Sequence, residues 1–318
     1  VTTSTVEDCT AIVFAYHDVG VRCLKVLIDA GIKIPLVVSH TDAPHENIWF
    51  RSVAALAADH GLRCVTPEDP HTDALLAEAR ASRPDFLFSF YYRHMLRQVW
   101  LDMPTRGAFN MHGSMLPEYR GRAPVNWAIL SGARQTGATL HRMNAKPDNG
   151  AIVDQCAVPI LGDDTAIDVF AKVTVAAEIV LARALPALVE GTAREIPQDL
   201  ARGRYFGGRR PEDGRIRGDA SAIEIHNMVR ALAPPFPGAF LEIDGERLIV
   251  ERTSRSATLP SAPGTGLRLW ADNGLLWLIG SDGGALRVLS ARWALKDVCL
   301  DPESFVRRFP ARWVAVTR

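Results

Sequence analysis

The stretch Ala108-Phe109-Asn110-Met111-His112-Gly113-Ser114-Met115-Leu116-Pro117 decides how the chain is read. An apolar run brings the chain to Asn110 and His112. These stand two residues apart, so on a strand both side chains leave the same face. Gly113 and Pro117 then break regular structure, which places the pair at a strand's exit. In open α/β sheets, ligands bind at the carboxyl ends of strands. An amide donor beside a titratable imidazole suits a reaction that develops an oxyanion and moves a proton. The plain alternative is a polar strand end with a surface histidine, and Asn-x-His alone does not exclude it.

Upstream, short strands and helices alternate. Residues 11–17 read as a buried first strand and 21–30 as a helix stopped by Gly31. Residues 34–38 read as a strand, 46–60 and 72–81 as helices, and 85–91 as the next strand. This order implies right-handed crossovers and a mostly parallel, Rossmann-like sheet. The dinucleotide fingerprint G-x-G-x-x-G is absent after the first strand, so no nicotinamide cofactor is expected.

Downstream, Arg120 and Arg122 precede a helix that starts at Pro124 and runs to about residue 130. Two arginines beside a helix start can hold an anion, and a solvated loop would look the same. Residues 136–143 and 151–160 read as a hairpin, joined by a loop with the turn signal Asn149-Gly150. That loop carries Asp148, which is either a turn former or a partner for His112. A helix is expected over 165–190, interrupted by Pro186.

Residues 198–218 are rich in Gly and Arg and poor in apolar residues. Beyond them come a helix over 221–232, capped by Ser221, and short apolar runs at 239–243, 248–252, 266–270, 275–279 and 285–291. The reading is therefore α/β. A Rossmann-like catalytic domain spans 1–197 and a linker 198–218. A smaller, mainly β, barrel-like (OB-like) C-terminal domain spans 219–318.

Lys+Arg and Asp+Glu balance at 36 each over 318 residues, which weighs against a broad electrostatic grip on nucleic acid. The five cysteines are odd in number, scattered and without metal-ligand spacing. They read as reduced thiols in a cytoplasm. No apolar stretch approaches the roughly 20 residues of a membrane span, so no membrane partner is expected. Residues 1–10 lack the basic and apolar regions of a signal peptide.

Taken in order, these motifs resemble the formyltransferases that use 10-formyltetrahydrofolate. The resembling text includes Phe14-Ala-Tyr-His-Asp18, Ser89-Phe-Tyr-Tyr-Arg-His94, Phe109-Asn-Met-His-Gly-Ser114 and Pro117-Glu-Tyr-Arg-Gly-Arg-Ala-Pro-Val-Asn-Trp127. It continues through Gly137-Ala-Thr-Leu-His-Arg-Met143, Asp148-Asn-Gly-Ala-Ile-Val153, His226-Asn-Met-Val-Arg-Ala231 and Pro237-Gly-Ala-Phe240. Within the family the text is most similar to the formyltransferase half of ArnA, the bifunctional polymyxin-resistance protein of lipid A modification. That half acts on UDP-4-amino-4-deoxy-L-arabinose.

The resemblance implies that Asn110, His112 and Asp148 are catalytic. It implies that His94, Met95, Leu96, Arg122, Asn144, Ala145, Lys146, Pro147 and Asp148 contact the folate co-substrate, with no metal. Lys146-Pro147 departs from the ArnA loop, and the chain is too short for ArnA's second, dehydrogenase domain. The implied acceptor is a nucleotide-linked amino sugar, with UDP-4-amino-4-deoxy-L-arabinose first and a dTDP-4-amino-6-deoxy sugar second. A methionyl-tRNA formyltransferase and a non-catalytic folate-binding module are the alternatives. For catalysis, Asn110 and a protonated His112 are expected to face the oxyanion, with Asp148 raising the histidine's pKa. Arg120, Arg122 and Arg93 are expected to hold the acceptor's diphosphate. His40, His60 and His226 read as structural or surface residues, and Tyr91, Tyr92 and Trp127 as core or pocket wall. Nothing in the sequence specifies an oligomeric state.

Overall fold

The computed structural model describes residues 6–43, 46–255, 265–295 and 297–316. They form two compact units, neither continuous in the chain. The first comprises Val1–Pro124, Gln135–Pro159 and Phe170–Gly207; the second comprises Val125–Arg134, Ile160–Val169 and Gly208–Arg318.

In the first unit the strands are β1 (Thr10–Ala15), β2 (Lys33–Val38), β3 (Cys64–Val65), β4 (Phe86–Phe90) and β5 (Gly107–His112). They continue with β6 (Arg120–Gly121), β7 (Gln135–Arg142), β8 (Ile152–Pro159) and β9 (Tyr205–Phe206). The main sheet runs β3-β2-β1-β4-β5-β7-β8. Its first five strands are parallel and its last two antiparallel. The expected Rossmann-like arrangement is therefore present. Strand order reverses between β1 and β4, so a crevice opens at the carboxyl ends of β1, β4 and β5. One face packs Ile12, Leu87 and Ala108 with Trp100 and Leu76. On the other, Phe86, Phe88 and Phe109 form a ring ladder with centroids 5.7–6.3 Å apart. Each such buried side chain contributes roughly 1.5–3 kcal/mol.

The helices of this unit are α1 (His17–Asp29), α2 (Val53–Asp59), α3 (Asp73–Ala81) and α4 (Gln98–Leu101). α5 (Pro124–Leu130) and α6 (Ala166–Glu190) each contain residues of both units. Three helices depart from the sequence reading in ways that packing explains. α1 starts at His17 rather than residue 21, because Gly20 is a close-approach residue and not a helix breaker. A Cβ there would lie 3.1–3.2 Å from Val53 and Ala15. α2 is shorter than 46–60, since Trp49 and Phe50 are drawn onto the His17 ring and Ser52 caps the helix through Ala55 N. α6 runs unbroken through Pro186. Both Pro186 and Ala182, whose carbonyl loses its helical donor there, are exposed, so water can satisfy that carbonyl.

The second unit carries α7 (Ala222–Leu232), closed by a capping box between Ser221 and Glu224. Its strands are β10 (Ala239–Ile243), β11 (Glu246–Arg255), β12 (Arg268–Asp272), β13 (Leu275–Ile279), β14 (Ala285–Trp293), β15 (Val298–Cys299) and β16 (Trp313–Ala315). They form an antiparallel half-barrel, β10-β11-β14-β13-β12-β16, with β15 added to β14. The sequence reading assigns nothing beyond residue 291. α8 (Pro302–Arg308), capped by Asp301, and β16 lie there. His226 is buried, its ring between Thr253 Oγ1 at 2.9 Å and the Gly162 carbonyl at 3.0 Å, a structural role.

Candidate active site

The site is assembled from four segments of the first unit. β5 supplies Asn110 and His112, β7 supplies His141, and the loop between β7 and β8 supplies Asp148. Residues 119–121 close it from another side. His112 Nε2 lies 2.9 Å from the Tyr119 carbonyl oxygen, and Nδ1 lies 3.5 Å from Asp148 Oδ1. Both ring nitrogens thus face acceptors. The Gly121 N–H donates to Asp148 Oδ2 at 2.8 Å. His141 stands opposite Asn110 in the antiparallel register. Its Nδ1 is 2.8 Å from the Arg142 carbonyl, which assigns the proton to Nδ1. Nε2 then accepts from Asn110 Nδ2 at 3.1 Å. One amide N–H of Asn110 is so fixed, and the second meets no acceptor among the described residues.

Backbone geometry holds Asp148 in place. Its φ of 58° is left-handed, a conformation Asp tolerates better than most residues. The Gln198 amide donates to the Asp148 and Gly150 carbonyls at 2.9 and 2.7 Å. Gly150 is required, because a Cβ there would sit 1.8 Å from the Arg142 carbonyl oxygen.

Burial sets the charges. His112 is 6% exposed, not at an open strand end as the sequence suggested. Burial pushes its pKa below the ordinary 6.5, against the raising effect of Asp148 and the Tyr119 carbonyl. The expectation of a protonated His112 is therefore corrected: the ring rests neutral at pH 7, with Asp148 making its protonation easier than burial alone would allow. For Asp148 burial acts upward, but the imidazolium forms of the neighbouring histidines and the Gly121 N–H outweigh it and hold the carboxyl at about 2.

The remaining residues expected from the sequence fall as follows. His94, Met95 and Leu96 follow β4. Leu96 is buried in the Trp100 cluster, while Met95 is 59% exposed and its carbonyl lies 3.1 Å from His71 Nε2. Asn144, Ala145, Lys146 and Pro147 form the approach to Asp148, with Asn144 Oδ1 accepting from Lys146 N. The Arg122 side chain is exposed, and the Arg122 backbone N–H donates to the Phe206 carbonyl.

Arg120 and Arg93 are not available as anion holders. Arg120 is bound to Asn149 Oδ1 at 2.8 Å and to the Leu200 and Gly203 carbonyls at 3.1 Å. Arg93 is paired with Glu46 and lies over the Tyr16 ring. Sequence reasoning missed His141, Gln198 and the Tyr119 carbonyl. Only His141 left a signal, as a polar residue inside a strand pattern.

Two family models match the chain. One, described as formyl transferase, covers residues 20–185, and the other, formyl transferase C-terminal domain, covers 209–310. Among solved structures, an N-formyltransferase from Helicobacter canadensis, complexed with folinic acid and dTDP-3-aminofucose, aligns with a TM-score of 0.70 at 19% identity. It covers 88% of this chain and 98% of its own. The sugar 3N-formyltransferase WlaRD, with dTDP and 5-N-formyl-THF, aligns at 0.69 and 18% identity, covering 90% and 98%. A methionyl-tRNA formyltransferase from Clostridium thermocellum aligns at 0.54 and 16% identity, covering 78% and 93%. At these identities the structural likeness establishes the fold. Among the described residues no helix is long and apolar enough to cross a membrane.

Proposed function

The chain belongs to the formyltransferase family, and from that membership we propose that it transfers the formyl group of 10-formyltetrahydrofolate to the amine of a nucleotide-linked amino sugar. The observation that carries the reading is the convergence of Asn110, His112 and Asp148 from separate segments at the sheet's carboxyl edge. The sequence text places UDP-4-amino-4-deoxy-L-arabinose first. The dTDP-3-aminofucose bound by one structural neighbour and the dTDP present with another favour a dTDP-linked amino sugar as the second reading.

Residues 94–96 and 144–148 would hold the folate, which supplies an amide-like formyl carbon. The exposed Met95 side chain offers an apolar surface to a flat heterocycle at the edge where Asn110 and His112 emerge. The acceptor nitrogen bonds to that carbon, the bond to the folate nitrogen breaks, and the amine's proton ends on the departing nitrogen. Asn110's second N–H faces the developing oxyanion, an interaction worth about 2.7–4 kcal/mol in comparable sites. His112, resting neutral, takes up the proton of the attacking amine and passes it on. As it charges, Asp148 stabilises the imidazolium. Nε2 exchanges its Tyr119 contact for substrate on binding.

The test is to incubate the protein with 10-formyltetrahydrofolate and each candidate acceptor, then follow folate release and a formyl mass shift. Transfer to methionyl-tRNA and to no sugar nucleotide would overturn the acceptor class. Tight folate binding with no transfer to any amine would favour a folate-binding module.

A further inference from the structure

Resting on the formyl-transfer reading, we propose that an aromatic recess beside the catalytic strand end is the acceptor's sugar subsite, and that the Tyr91 hydroxyl is its hydrogen-bonding group. Two faces of the sheet meet at the carboxyl edge. Ala108 packs with Ile12 and Leu87 on one face, and Leu96, from the segment matched to the folate, belongs to the same cluster. Side chains alternate along a strand, so Asn110 and His112 leave on that face, and Gly113 is the first residue past the strand end. Tyr91 lies there: a Cβ on Gly113 would sit 1.8 Å from its hydroxyl oxygen. The recess therefore adjoins the strand end that carries Asn110 and His112.

The recess is built of rings. His17 stacks on Phe50 at 3.9 Å and meets Trp49 and Phe170 at 4.5 Å each. Tyr91 meets Phe170 edge-on at 5.6 Å. Trp49, Phe50, Tyr91 and Phe170 are all partly exposed. Burial drives the His17 pKa down to about 4, so its ring is neutral at pH 7, with Asp18, Arg93 and Glu46 the charged groups that act on it. An aromatic wall suits the C–H face of a pyranose and leaves the diphosphate to be bound elsewhere.

The Tyr91 hydroxyl is buried and has no hydrogen-bond partner among the described residues. Buried polar groups without partners are rare in native structures. Burial also pushes the phenol pKa upward, so it stays a neutral donor. Both His17 and Tyr91 hold left-handed backbones, with φ of 67° and 60°, and such strain gathers at ligand sites. An O–H or N–H of the sugar completes the hydroxyl's bonding.

Tyr91→Phe removes only that oxygen. Loss of one neutral hydrogen bond predicts a rise of up to about tenfold in the acceptor's KM, with the KM for 10-formyltetrahydrofolate unchanged. Tm should hold or rise, since an unpartnered buried hydroxyl is removed. An acceptor KM within twofold of wild type, in an enzyme that does turn over a sugar nucleotide, overturns the subsite and leaves the function standing. A parallel rise in both KM values also overturns it. A second measurement titrates the productive sugar nucleotide alone and follows tryptophan fluorescence. The change should vanish in Trp49→Phe, and persistence of the full change would place the sugar elsewhere. Turnover with methionyl-tRNA only would remove both the function and the subsite.

Discussion

Asp148→Asn keeps the shape of the side chain, including an oxygen to accept from Gly121 N–H, and removes the charge. Holding the carboxyl at about 2 instead of the ordinary 3.8 corresponds to at most roughly 2 kcal/mol of stability, gained where the neighbouring imidazolium is charged. The sign follows from proton uptake. As pH falls from about 4 to 2, the unfolded chain binds a proton at this site before the folded one, so that stability is lost. Asp148→Asn has no proton to bind there. The stability gap between the two proteins should open by at most about 2 kcal/mol as pH rises from about 2 to 4, shrink as His112 gives up its proton, and close toward zero in stronger acid. His112 adds a second readout. Its pKa is already below 6.5, and loss of the carboxylate should lower it further. Because a neutral His112 is the proton acceptor, wild-type kcat/KM should fall in acid with an inflection below pH 6.5, and the variant's inflection should lie lower still. The assays are urea unfolding across pH, NMR titration of the His112 ring, and a pH–rate profile. A stability gap independent of pH, together with an unmoved His112 titration, would refute the coupling.

His112→Ala and Asn110→Ala should each lower turnover about 10²-fold or more, and the double variant should lose far less than the product, as turnover measurements will show. Because His112 is buried, its variant should also lose Tm, unlike a surface substitution. His141→Ala frees the Asn110 amide and should lower kcat with little change in either KM, while His141→Gln, which restores an acceptor, should recover part of the rate. Gly121→Ala should destabilise by about 1–2 kcal/mol or more in thermal unfolding. Its φ is 101°, and a Cβ would lie 2.1 Å from the Phe206 carbonyl oxygen.

Asn110 and His112 were legible as a pair because strand periodicity and the Gly113 break are local properties of the chain. Asp148 was legible only as a turn residue until the family pattern gave it a partner. The alternation of short strands and helices determined the parallel sheet, since such crossovers leave few other topologies. The short apolar runs pointed to a mainly β, barrel-like C-terminal part, and the structure supplied its antiparallel half-barrel pairing. Its last helix escaped notice because Asp301-Pro302-Glu303-Ser304 gives one capped turn and too few apolar repeats to show a period.

What only the tertiary structure decided are the quantities set by neighbours distant in sequence. Whether His112 rests charged depends on its burial, which no local pattern reports, and burial reversed the expected protonation. Arg93 and Arg120 looked free because Glu46 and residues 200–203 are far from them in the chain. His141 acquired its place beside Asn110 through strand register, and Gln198 reached Asp148 by folding back over it. A sequence shows which groups are present and how they repeat along the chain. Desolvation and ion pairing depend on distances of a few ångströms between residues that packing alone brings together.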